Sequence, residues 1–338
     1  MKVTKQDIRP GLRARGRALK ILLPYFTERK FRMSNRFLDC FLKGRWLGRT
    51  SRMREYYIPR PDGTALRVCV CRARKGGGTA ATGLLWMHGG GFAIGLPEQD
   101  SAFIDRFTED GSCVVVSPDY RRSTERPYPA ALKDCYRALL WMKANAKKLG
   151  IRTDQLFVGG DSAGGGLTAA LCLYARDRGE VAVAFQMPLY PMLDDRMISD
   201  SAVENDAPVW NSQSNENAWR LYLGARFGRP DTSAYAAPAR AADLPGLPPA
   251  CTYVGTVEPF HDETVAYVAE LRRQGIPVFF KEFAGCYHGF DIVCPGSGAA
   301  KEAKRFLMRS FRYAQKHYYC PQPESNLQTQ PQSKRRAE

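Results

Sequence analysis

Gly160-Asp161-Ser162-Ala163-Gly164 sets a serine between two glycines in a G-x-S-x-G pattern. Leu156-Phe-Val158 before it reads as a buried strand, and the residues from about 163 to 176 read as a helix. In that setting the glycines permit a very tight strand–turn–helix corner, with the serine hydroxyl presented at its apex. The pattern by itself is common; the flanking strand and helix give it weight. The plainer reading is a helix N-terminus capped by Asp161 or Ser162. A serine that attacks an acyl carbon also needs donors for the oxyanion it creates. His88-Gly89-Gly90-Gly91-Phe92 follows the apolar run Leu84–Met87 and leaves backbone N–H groups uncovered. The N–H groups of Gly90 and Gly91, with that of Ala163 just after the serine, are the candidate donors, each worth about 2.7–4 kcal/mol. Gly89 serves the turn and His88 orders it by hydrogen bonding. The alternative is an ordinary glycine loop.

Such a serine needs a base, and the chain has four histidines, at 88, 261, 288 and 317. His88 belongs to the glycine loop and His317 to the end of the last helix. His288, in Ala284-Gly-Cys-Tyr-His-Gly-Phe290, falls in a loop after the strand 278–283 and is the candidate base; the plain alternative is a surface histidine. Loops at the carboxyl ends of parallel strands are where such a sheet builds its site. A carboxylate must then fix the imidazole tautomer. Glu258 follows the strand 251–254 by four residues, and Asp262 is its rival. A purely structural role, capping the next helix, is the third reading of Glu258. The order Ser162, Glu258, His288 is that of α/β-hydrolases.

The elements that would hold these groups alternate. Short apolar runs at 84–87 and 113–116 suit strands buried on both faces of a parallel sheet. A helix is expected at about 129–149, a strand at 181–187, a helix at 262–274 and another at 298–317. Strands alternating with helices imply an α/β sheet with crossover helices. Residues 1–55 read as helical, with apolar clusters at 19–26 and 37–42. Residues 195–235 lose the alternation and read as an insertion of short helices. The tail 318–338, rich in Gln, Pro, Ser and Lys/Arg, reads as disordered.

At 338 residues, 44% apolar and 25% charged, the chain has the composition of an ordinary globular protein. Its longest apolar stretches are far short of the ~20 residues of a spanning helix, and no secretory signal pattern is seen. Net charge is +16, yet residues 1–60 hold 17 Lys/Arg against 4 Asp/Glu. That local excess of 13 leaves the other 278 residues near neutral. Zinc-finger spacing and RNP aromatics are both missing, so a nucleic-acid partner is not expected. Neither G-x-G-x-x-G after a strand nor a P-loop occurs, which disfavours nucleotide binding. Ten cysteines without a C-x-x-C read as reduced thiols in a cytoplasmic protein.

The sequence resembles the hormone-sensitive lipase family of α/β-hydrolase esterases. His88-Gly-Gly-Gly-Phe92 and Gly160-Asp-Ser-Ala-Gly-Gly165 match its two hallmark motifs. Pro118-Asp-Tyr-Arg121, Pro129–Asp134, Trp141, Pro248-Pro249, Gly255–Glu263 and His288-Gly-Phe290 extend the likeness over roughly 56–317. The resemblance implies a mostly parallel eight-stranded sheet flanked by helices, with 1–55 and 195–235 forming a helical cap over the acyl pocket. It implies a short-acyl ester hydrolase needing no metal or cofactor, a monomer or homodimer without stable membrane insertion. Amidase or deacetylase chemistry on the same groups is the alternative, and a non-catalytic receptor of this family would lack the histidine. Two departures stand out. Most members carry Asp where Glu258 stands, and Tyr120-Arg-Arg-Ser-Thr-Glu125 lacks the family's proline, which is expected to loosen that loop. Cap helices spend apolar faces on packing, so the clusters at 19–26 and 37–42 are expected to be buried. Any attraction of the basic segment to an anionic surface is then weak and electrostatic.

Overall fold

In the computed structural model, which describes residues 1–76 and 80–324, eight strands form one sheet. They are β1 (Ser51–Pro59), β2 (Ala65–Ala73), β3 (Ala81–Met87), β4 (Cys113–Pro118), β5 (Ile151–Asp161), β6 (Phe185–Leu189), β7 (Ala250–Gly255) and β8 (Val278–Phe283). The spatial order is β1-β2-β4-β3-β5-β6-β7-β8. β1 and β2 pair antiparallel, as do β2 and β4; the other pairs are parallel. The central strands are continuous apolar runs because crossover helices cover both faces of a parallel sheet. Every residue of β3, β4 and β6 is buried.

The helices are α1 (Arg13–Leu22), α2 (Glu28–Phe41), α3 (Ser101–Thr108), α4 (Ala130–Ala144), α5 (Ala146–Leu149), α6 (Ala163–Arg178), α7 (Ser212–Leu223), α8 (His261–Arg273), α9 (Phe290–Val293) and α10 (Gly298–His317). Most expected elements fall where the apolar periodicity puts them. β5 runs five residues earlier than its apolar core, and β1 begins at Ser51, inside the segment expected to be wholly helical. The sequence marks Glu55–Pro59 and Ala65–Cys71 as strands about the Pro61-Asp-Gly turn; the register, Ser51↔Ala73 through Pro59↔Ala65, extends the first of them back by four residues.

The N-terminal segment and the 195–235 insertion meet. Phe26 N–H donates to Ser214 Oγ (3.0 Å), and Asn217 Nδ2 donates to Phe26 O (2.8 Å). Phe26 stacks on Phe31 at 5.2 Å, and Trp210 lies 6.1 Å from Phe26. α2 is also tied to the body. Asn35 Nδ2 donates to Ala93 O (2.8 Å), and Arg32 donates to Thr124 O (2.8 Å). Arg122 is buried, donating to Asp39 on α2 through Nη1 and Nη2 (3.1 and 2.9 Å) and to Glu125 besides. The loop without its proline is therefore fastened by a bidentate ion pair, contrary to the expected loosening.

Two other expectations meet a different outcome. Ile21, Leu22, Leu23, Phe37 and Phe41 are exposed, so much of both apolar clusters faces away from the protein. The tail expected to be disordered from 318 begins with docked residues. Cys320 N–H donates to Asp154 O (2.8 Å), and Gln322 bonds Thr153 O and both the N–H and O of Ala182. The rest of that tail, 325–338, lies outside the described residues. All ten cysteines are free, eight of them buried.

Candidate active site

β5 ends at Asp161 and α6 begins at Ala163, leaving Ser162 alone at the corner with φ +57° and ψ −119°. A side chain with positive φ is held there only when its surroundings over-determine it. Here Ser162 N–H donates to Leu189 O (2.9 Å), and Ser162 O accepts from Gly166 N–H (2.9 Å) and Met192 N–H (3.1 Å). The flanking glycines follow from close approach. A Cβ on Gly164 would lie 2.0 Å from Met87 O, and one on Gly160 2.4 Å from the same oxygen. Any side chain at either position would push β3 and the corner apart.

His288, in the loop between β8 and α9, places Nε2 2.8 Å from Ser162 Oγ. Its Nδ1 bonds Glu258 Oε2, and Glu258 Oε1 accepts from Gly255 N–H at 2.8 Å. Glu258 has no solvent exposure, and Ser162 and His288 are each 5% exposed. The longer glutamate reaches because the turn after β7 folds it back onto the strand's last residue. Asp262 goes elsewhere: Oδ1 lies 2.7 Å from His261 Nδ1, and Oδ2 accepts from Ser201 N–H (2.8 Å). The imidazole of His288 is walled by Tyr190 and Phe260, both edge-on at 5.0 Å, with Trp210 at 6.5 Å.

The glycine loop meets this corner from β3. Gly90 and Gly91 have φ +118° and +58°. Among the described residues none accepts from the N–H of Gly90, Gly91 or Ala163. Gly89 packs where a Cβ would stand 2.4 Å from Asp161 Oδ2. His88 is fully buried, stacked on Tyr120 at 4.2 Å, with Nδ1 2.8 Å from Gly89 O. Burial pushes its pKa down to about 4, so it is a neutral brace for the turn. Trp210, in the loop before α7, covers the glycines: a Cβ on Gly91 would lie 2.4 Å from its ring. No spacing rule marks Trp210. Phe92 stacks on Tyr222 at 4.0 Å and belongs to the core.

Asp161 and Asp100 are neighbouring buried carboxyls, and Trp86 Nε1 donates to Asp100 (2.8 Å). Burial raises both, Asp100 to about 7 and Asp161 well above the usual range. The pair joins the residue before Ser162 to the start of α3, and sequence reading did not foresee it.

The geometry joins a serine hydroxyl, an oriented imidazole and a buried carboxylate in one chain of contacts. A family model described as alpha/beta hydrolase fold matches residues 84–292. The chain is 34% identical over 230 residues to the esterase LipI of Mycobacterium tuberculosis, a match covering 65% of this chain and 69% of that one. It is 29% identical over 207 residues to an arylesterase of Saccharolobus solfataricus, covering 61% and 67%. Among solved structures, a bacterial heroin esterase superposes with a TM-score of 0.83 at 32% identity, covering 92% of this chain and 99% of that one. An esterase of Pyrobaculum calidifontis gives 0.76 at 30%, covering 90% and 98%.

Proposed function

Because the chain belongs to the α/β-hydrolase family, in its hormone-sensitive lipase-like branch, we propose that it is a serine carboxylesterase working through Ser162, His288 and Glu258. The observation that carries this is the chain of contacts from Ser162 Oγ through both ring nitrogens of His288 to a fully buried Glu258. His288 Nε2 takes the hydroxyl proton as Ser162 attacks the ester carbonyl. Glu258 keeps the other proton on Nδ1 and stabilises the imidazolium that forms. The oxyanion is received by the N–H groups of Gly90, Gly91 and Ala163. His288 then protonates the departing alcohol, and water, deprotonated by the same imidazole, releases the acid from the acyl-enzyme.

The acyl chain is short in this reading. Ser162 and His288 are almost covered, and Trp210 closes the space over Gly91 under the roof built by 1–55 and 195–235. p-Nitrophenyl acetate, butyrate and hexanoate should be turned over well and triolein poorly. Equal turnover of long-chain emulsions would overturn the short pocket. Matched aryl acetates and acetanilides, run in the same series, should show the ester preferred; a faster anilide would make the enzyme an amidase.

A further inference from the structure

The outer sides of α1 and α2 carry what a covered cap helix does not. Met33, Phe37 and Phe41 succeed one another at intervals of four and form one stripe along α2. Phe31 and Asn35, which are buried, lie on the other side of the helix. Phe37 is 62% exposed and Phe41 58%, and their rings pack on each other at 4.8 Å. Arg29, Arg32 and Arg36 flank the stripe and are exposed. At the end of α1, Ile21, Leu22 and Leu23 are exposed, Leu22 at 74%, one turn beyond Arg17 and Ala18. Of the fourteen exposed large apolar side chains among the described residues, seven lie within 21–47. They lie inside the segment 1–60, in which Lys/Arg exceed Asp/Glu by 13.

We propose that this face docks on an anionic lipid surface, with the arginines among the headgroups and Phe37, Phe41 and Leu22 in the acyl boundary beneath them. An amphipathic helix with aromatic and aliphatic side chains between Lys/Arg is the form that such an interface takes up. The charge selects the occupant. A second copy of this chain would set two strongly basic segments against each other. The apolar side chains protrude along two helices, and a fluid boundary accepts that shape without a complementary partner surface. The inner side of α2 is the roof of the candidate site, since Phe31 lies 6.3 Å from Trp210. On the esterase reading, an ester dissolved in the lipid would meet the cap directly. The docking itself is independent of that reading, because its readout is binding.

The test is sedimentation of the full chain with phosphatidylcholine vesicles, with and without phosphatidylserine, at low and physiological salt. Binding should require phosphatidylserine. It should weaken but persist at physiological salt, where the Debye length is about 8 Å. Arg29→Glu and Arg36→Glu should each cost about five-fold or more in partitioning. Phe37→Ser with Phe41→Ser should cost about ten-fold or more. Hydrolysis of a soluble aryl ester should stay unchanged in all of these variants, which separates loss of docking from loss of the fold or of the esterase. Failure to sediment with phosphatidylserine vesicles at low salt would overturn the proposal, as would binding indifferent to the phenylalanine pair. A dimer in solution that Phe37→Ser abolishes, without vesicle binding, would make the face a self-interface instead.

Discussion

Removing the carboxylate at 258 should separate two effects that the structure joins. Glu258, which is fully buried, accepts from Gly255 N–H through one oxygen and from His288 Nδ1–H through the other. Glu258→Ala strands a buried backbone donor, at about 1–3 kcal/mol, and should lower Tm by a few degrees. It also frees the imidazole to turn and to take either tautomer, which should lower kcat about 100-fold or more. Glu258→Gln divides the two. Its amide oxygen can keep the Gly255 bond and most of the stability. Its NH2 then faces Nδ1, drives the ring proton to Nε2, and leaves no acceptor for the serine proton. Glu258→Gln should therefore fold like the wild type yet lose kcat by up to about 10⁴-fold. Glu258→Asp, which keeps a carboxylate but is one methylene shorter, should be the mildest of the three. Steady-state kinetics on p-nitrophenyl butyrate and thermal denaturation of all three variants provide the check. A Glu258→Ala enzyme with kcat within about ten-fold of wild type would refute the reasoning.

Asp262→Ala should leave kcat within a few-fold, since its carboxylate serves His261 and Ser201; a loss matching Glu258→Ala would reverse the assignment. The Asp100–Asp161 pair predicts a pH effect on stability. Burial raises both groups in the folded state, so the fold binds more protons than the unfolded chain, and stability falls as pH rises from the ordinary 3.8 through about 7. Asp161→Asn supplies its own hydrogen and cannot ionise, so Tm between pH 5 and 8 should decline less steeply than in the wild type; an identical slope would remove the pair as its source.

The parts of the site that were legible are those whose chemistry restricts sequence locally. Gly160 and Gly164 are written into the chain because Met87 O comes too close for any Cβ, and the glycines at 90 and 91 because positive φ is cheap only there. Glu258 and His288 were reachable from strand ends and chain order. What stayed hidden depends on which partner arrives. α2 has apolar residues on both sides, and periodicity does not say whether Phe31 or Phe37 is the one covered. Trp210 comes to His288 from a loop with no period at all. The residues 320–322 dock through backbone and amide bonds that a Gln- and Pro-rich composition conceals.

The central claim is that Ser162 is the nucleophile, and mass spectrometry after treatment with a serine-directed organophosphate tests it most directly. The account predicts a single adduct, on the peptide carrying Ser162, and no adduct with a fall in kcat of about 10⁴–10⁶-fold in a folded Ser162→Ala variant. An adduct on another serine, or substantial turnover by Ser162→Ala, would contradict it.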